Sequence, residues 1–167
     1  FTGTIGLPVP GTTITIRDDN ENILDVGKEG EICIAGPQVM KGYWQRPEET
    51  AKVMTKDGAL KTGDVGVMDE RGFVRIVDRK KDMILVSGFN VFPNEVEAVA
   101  SACPGVAECA CVGVPDDKSG EAVKLFVVKA PGAALTADEV INHCRKEMTA
   151  YKVPKIVRFI EALAKST

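Results

Sequence analysis

Aromatic side chains are scarce, at 5% of the 167 residues, and there is one histidine, His143, and one tryptophan, Trp44. A lone imidazole with no evident triad or ligand partner reads as an ordinary helix residue. None of the five cysteines has Cys-x-x-Cys spacing, so the ligand pattern of a zinc site is missing and no metal site is expected. Cys109 and Cys111 lie two apart in an apolar run and would share one face of a strand. They read as reduced core residues, which suits a reducing, cytoplasmic setting. Positive charge is not in excess: 21 Lys and Arg face 24 Asp and Glu, for a net charge of -3. That balance, with the cations scattered rather than striped, argues against a nucleic-acid partner. No apolar run is long enough to span a bilayer, and no signal-peptide pattern is present. Phe1 is not a natural start residue and Thr167 follows a strand-like segment abruptly, so both ends read as cut.

What is present is a chain that is 44% apolar, enough for one ordinary domain or two small ones. The first half reads as β. Thr12 to Ile16 alternates polar and apolar residues, Asp18-Asp19-Asn20 marks a turn, and Glu31 to Ala35 alternates again up to Gly36-Pro37. Pro47 to Lys52 is a short helix with proline in its first turn. Glu70-Arg71-Gly72 turns into a strand over Phe73 to Val77. After Asp78 the pattern becomes mixed. Pro93 opens a helix with Val96, Val99, Ala100 and Cys103 on one face, stopped by Pro104-Gly105. Cys109 to Val114 and Val123 to Lys129 read as strands flanking the turn Pro115 to Gly120. Thr136-Ala137-Asp138-Glu139 is a capping box for a helix that buries Val140, Ile141, Cys144 and Met148. A last strand covers Ile156 to Ile160. The expected fold class is α+β. A small β subdomain spans 1–78, a hinge 79–82, and a compact α+β lobe 83–167.

Four segments could carry chemistry. In Lys61-Thr62-Gly63-Asp64, glycine permits a tight turn, and the Asp64 carboxylate could accept both vicinal hydroxyls of a ribose or simply cap nearby backbone. Arg79, fifteen positions later, offers a planar fork for ribose or phosphate, or belongs to a solvated charge run from Asp78 to Asp82. In Ser87-Gly88-Phe89 the glycine leaves room for a pantetheine arm, or serves an ordinary turn. Gly42-Tyr43-Trp44 is expected to pack a subdomain edge.

Order and spacing add to these single readings. Gly30-Glu31-Ile32-x-Ile34-x-Gly36, Gly42-Tyr43-Trp44-x-x-Pro47-Glu48-x-Thr50, Thr62-Gly63-Asp64, Gly72-Phe73 and Asp78-Arg79-Lys80-Lys81-Asp82 follow one another along nearly the whole chain. The succession resembles the later core motifs of the adenylate-forming superfamily. The segments Asp78 to Glu97, Val112 to Pro115, Ser119 to Val123 and Tyr151 to Lys155 are most similar to bacterial long-chain fatty acid–CoA ligases.

The resemblance implies a fragment of an acid–thiol ligase that consumes ATP with Mg2+, a fatty acid and CoA, and works with an N-terminal adenylation domain. It implies that Asp64, Arg79 and Asn90 contact the nucleotide, that Gly88 and Phe89 line the CoA tunnel, and that Lys81 is the hinge residue. The family's phosphate-binding Ser/Thr/Gly-rich loop and its acyl pocket are not among these residues. Its adenylation lysine follows a Leu-Pro-Lys-Ser-like segment, whose start Leu163-Ala164-Lys165-Ser166-Thr167 matches with alanine in place of proline, so Lys165 is not that lysine. The implied location is cytoplasmic, with peripheral membrane contact for a long-chain substrate. Two alternatives stay open: an acyl- or aryl-adenylate-forming relative that transfers to a carrier protein, and a non-catalytic module that keeps the fold.

Overall fold

In the computed structural model, which describes residues 3–164, the chain divides into two compact units, 1–81 and 82–167. The first is a four-stranded antiparallel sheet in sequence order: β1 (Thr13–Arg17), β2 (Glu29–Ala35), β3 (Leu60–Met68) and β4 (Val74–Arg79). Helix α1 (Pro47–Val53) starts with proline as expected and lies between β2 and β3 in sequence. Its small core is built from Ile16, Ile32 and Val74.

Strand β3 corrects the sequence reading of Lys61 to Asp64 as a turn. The segment lies inside a nine-residue strand. Its partners on β2 pass from Cys33↔Lys61 to Glu31↔Val65, so β3 carries two surplus residues there and bulges. Gly63 sits in that bulge at φ 75°. The turn chemistry was recognised, but the bulge keeps the strand going.

The second unit holds a five-stranded sheet: β5 (Ile84–Val86), β6 (Phe89–Val91), β7 (Val106–Asp116), β8 (Gly120–Lys129) and β9 (Ile156–Phe159). Strand β8 is the organiser. It pairs antiparallel with β7 along its length, with β5 at Val86↔Gly120, and parallel with β9. Odd positions Val123, Leu125 and Val127 are at most 1% exposed, so one face is fully covered. The covering helices are α2 (Pro93–Ser101), through Val96 and Ala100, and α3 (Ala137–Glu147), through Val140 and Cys144. Burying one such aliphatic side chain is worth roughly 1.5–3 kcal/mol, which makes this row the main source of cohesion.

Helix α3 starts where its capping box predicts. Glu139 N–H donates to Thr136 Oγ1 at 3.3 Å, and Thr136 N–H donates to Glu139 Oε2 at 2.8 Å. Ile141 and Met148 are only partly buried, so the buried stripe is narrower than expected. Pro115 lies within β7 rather than in the turn, which shrinks to Asp117-Lys118-Ser119. Cys109 and Cys111 do share a face, but Cys109 is half-buried beside Ser101. His143 is not partnerless: its Nε2 lies 3.1 Å from the Val99 carbonyl and ties α3 to α2. No helix among the described residues is long and apolar enough to cross a membrane.

Leu125→Ala should cost about 2–5 kcal/mol in urea unfolding, whereas Leu85→Ala, at a half-exposed site, should stay within about 0.5 kcal/mol. Burial pushes the Cys144 thiol up to about 11. A raised folded value means stability is intact below the ordinary value of 9.0 and falls as pH rises from there through about 11. Replacing Cys144 by Ala should flatten that alkaline limb in pH-dependent unfolding.

Candidate functional site

The β3 bulge places Asp64 at the end of the β3–β4 pairing, directly across from Arg79, the last residue of β4. Arg79 Nε lies 3.0 Å from Asp64 Oδ1, an ion pair across the two strands. The Asp64 side chain is 23% exposed and that of Arg79 63%, so both are within reach of a solute. An exposed pair of this kind contributes only about 0–1 kcal/mol to stability, so fold stability does not account for it. The ion pair engages one carboxylate oxygen, and both groups keep hydrogen-bonding capacity. A carboxylate beside a guanidinium can take the hydroxyls of a sugar and hold an adjacent anion.

The surroundings fix this pair. Thr62 Oγ–H donates to the Ile32 carbonyl at 2.8 Å, and the same oxygen accepts from Asp64 N–H at 3.1 Å. Gly63 N–H donates to Glu31 Oε1 at 3.1 Å. The other oxygen of Glu31 accepts from Lys80 Nζ at 2.8 Å, and Lys80 also reaches Asp19 Oδ1 at 2.8 Å. Burial alone would pull the Lys80 ammonium down, yet hydrogen bonds to Asp19 and Glu31 raise it above the ordinary lysine value. Glu31 and Lys80 were quoted in sequence motifs but given no role. The signal was there: a carboxylate in the middle of an alternating strand needs a buried partner.

Lys81 is exposed in a one-turn 3-10 helix, Lys80–Asp82, and the division between the two units falls immediately after it. In the second unit, the glycine-bearing loop proves to be a hairpin turn. Ser87 and Gly88 have φ of 51° and 85° between β5 and β6, as a two-residue type I′ turn requires. Nothing lies within 4 Å of where a Gly88 Cβ would sit, so no neighbouring backbone demands this glycine. Phe89, 56% exposed, stacks on Tyr151 with ring centroids 4.7 Å apart. Asn90 is exposed on β6 opposite Leu85. Tyr151 was not singled out from the sequence, because the stacking joins residues far apart in the chain. Among the described residues no cluster of three or more His, Cys, Asp or Glu could hold a metal ion. Lys165 lies outside the described residues. Tyr43 and Trp44, expected to pack, are 48% and 87% exposed.

Two family models match the chain: the AMP-binding enzyme model over residues 1–44 and the AMP-binding enzyme C-terminal domain model over residues 95–167. A long-chain-fatty-acid–CoA ligase of Yersinia pestis is 59% identical over 99% of this chain and 29% of that protein. The ligase of Salmonella typhimurium is 61% identical over 98% of this chain, again 29% of that protein. The chain thus spans under a third of the curated relatives it matches. ATP-bound MatB from Rhodopseudomonas palustris superposes with a TM-score of 0.92 at 39% identity, over 99% of this chain and 33% of that one.

Gly88→Ala meets no atom but keeps a left-handed φ, which should cost about 1–2 kcal/mol in thermal unfolding. Gly88→Asn, which tolerates that conformation better, should cost less.

Proposed function

The chain belongs to the AMP-binding, adenylate-forming enzymes, and on that premise we propose that it is the C-terminal part of a fatty acid–CoA ligase. What carries the proposal is its likeness, over nearly its whole length, to long-chain-fatty-acid–CoA ligases. The reaction has two steps. A fatty acid carboxylate attacks the α-phosphorus of magnesium-bound ATP, giving acyl-AMP and releasing pyrophosphate. The CoA thiol then attacks the acyl carbon, a thioester forms, the thiol proton is lost and AMP leaves.

Each unit contributes a part. Asp64 accepts hydrogen bonds from the ribose hydroxyls, and Arg79 alongside it donates to the ribose. Two hydrogen bonds to a charged acceptor, at about 1.5–3 kcal/mol each, are enough to orient the nucleoside. Magnesium arrives with ATP as substrate, and no cluster of three or more His, Cys, Asp or Glu among the described residues could hold it. Lys81 serves as the hinge: an exposed side chain lets its backbone rotate without burying or releasing a charge. Gly88 and Phe89 flank the pantetheine path, the turn presenting backbone without a side chain and the Phe89–Tyr151 stack offering an apolar wall. Asn90 contacts the nucleotide phosphate. The setting is cytoplasmic, with peripheral membrane contact when the acid is long-chain.

The acceptor separates this from its alternatives. Mass spectrometry of products from the full-length enzyme, given ATP, magnesium and a ladder of fatty acids with and without CoA, should show acyl-CoA only when CoA is present. Acyl-AMP that persists in the presence of CoA would instead favour transfer to a carrier protein. The described residues hold a ribose acceptor but no phosphate cradle and no acyl pocket, and the isolated chain should be inactive. It should release no pyrophosphate with fatty acid and ATP, and calorimetric titration should show no saturable ATP binding in the micromolar range.

A further inference from the structure

One side chain touches both arms of the Asp64–Arg79 pair indirectly. Glu31, 9% exposed, accepts from the amide of Gly63, the residue before Asp64, and from the ammonium of Lys80, the residue after Arg79. The first bond fills a gap that the bulge creates. Surplus residues in a bulged strand lose their ladder partners, and the Gly63 amide finds the carboxylate instead. The second bond holds the end of β4 and the start of the 3-10 turn. Asp19, whose side chain is 82% exposed, shares the ammonium but is the weaker anchor, because water competes for it.

We propose that Glu31 and Lys80 form a positioning clamp for the nucleotide site, setting the separation of Asp64 and Arg79 and confining rotation to the chain beyond Lys80. The inference rests on Asp64 and Arg79 holding the ribose. Neither clamp residue touches the nucleotide; each acts through its sequence neighbour. With Lys80 neutral, Glu31 loses its charge partner and turns outward to water, the bulge loosens, and the two ribose contacts are no longer held in register.

The test is steady-state kinetics on the full-length enzyme carrying this chain, with ATP, fatty acid and CoA varied separately. Lys80→Met should raise the KM for ATP by on the order of tenfold or more, while the KM values for fatty acid and CoA stay put. Lys80→Arg, which restores the charge, should recover most of the loss. A merely structural ion pair would lower the active fraction, and so kcat, without this selective change in KM. If Asp64→Asn raises the ATP KM and Lys80→Met does not, the clamp is wrong and the ribose site stands. If neither variant changes it, the ribose assignment fails and the clamp with it. Should Lys80→Met not yield folded enzyme, Glu31→Gln replaces it. This variant keeps an acceptor for Gly63 and removes the charge facing Lys80, so it carries the same expectation and the same two refutations.

Discussion

The surplus of two residues in β3 between Lys61 and Val65 is the constraint on which the first unit turns. Because the surplus is even, inward and outward positions stay in phase on both sides of it. Cys33 and Val65 can therefore both be buried although they flank the irregularity. Within the surplus, Gly63 takes a backbone angle that few other residues tolerate, and Asp64 emerges beside Arg79. A regular strand would have paired the Gly63 amide with a neighbouring carbonyl. The bulge gives it to Glu31 instead, and so couples the polar interior of the sheet to the exposed pair at its edge.

The second unit solves a different problem. Its sheet must be rigid, yet present a short hairpin at the surface. Rigidity comes from β8, with neighbours on both sides and its odd-numbered residues sealed under α2 and α3. The hairpin is held from below by Ile84, Val86 and Val91, all buried, and by the Leu85 amide, which donates to Glu121 Oε2 at 2.7 Å. Above that base, Gly88 has no atom within 4 Å of where its Cβ would sit, Ser87 N–H donates to the Ser119 carbonyl at 2.8 Å, and Phe89 leans on Tyr151. Stability and exposure are thus carried by different residues of the same hairpin, which opens with Ile84 and closes with Val91.

Much of this was legible in the sequence. The α+β class, α1 with its proline, the capping box of α3 and the strands around Ile14, Ile34 and Leu125 follow from local periodicity and capping chemistry, which act within a few residues. The bulge was not legible, because glycine beside aspartate has the same local chemistry in a turn as in an interrupted strand; only the register with β2 decides. A turn at Ser87-Gly88 was among the readings, but the return strand β6 was not, because three residues are too few to show alternation. Asp64 and Arg79 were named as separate candidates, and their meeting across β3 and β4 is a tertiary fact. Glu31 and Lys80 went unassigned for the same reason: they lie 49 positions apart.

In the function we propose, Asp64 recognises the hydroxyls of a ribose. The most direct measurement compares ATP with 2′-deoxy-ATP as substrates of the full-length enzyme and its Asp64→Asn variant. Loss of one hydrogen bond to a carboxylate should make the unmodified enzyme disfavour the deoxy nucleotide by about tenfold or more in kcat/KM, and Asp64→Asn should erase most of that preference. Equal use of both nucleotides by the unmodified enzyme, or a preference that survives Asp64→Asn, would contradict the account.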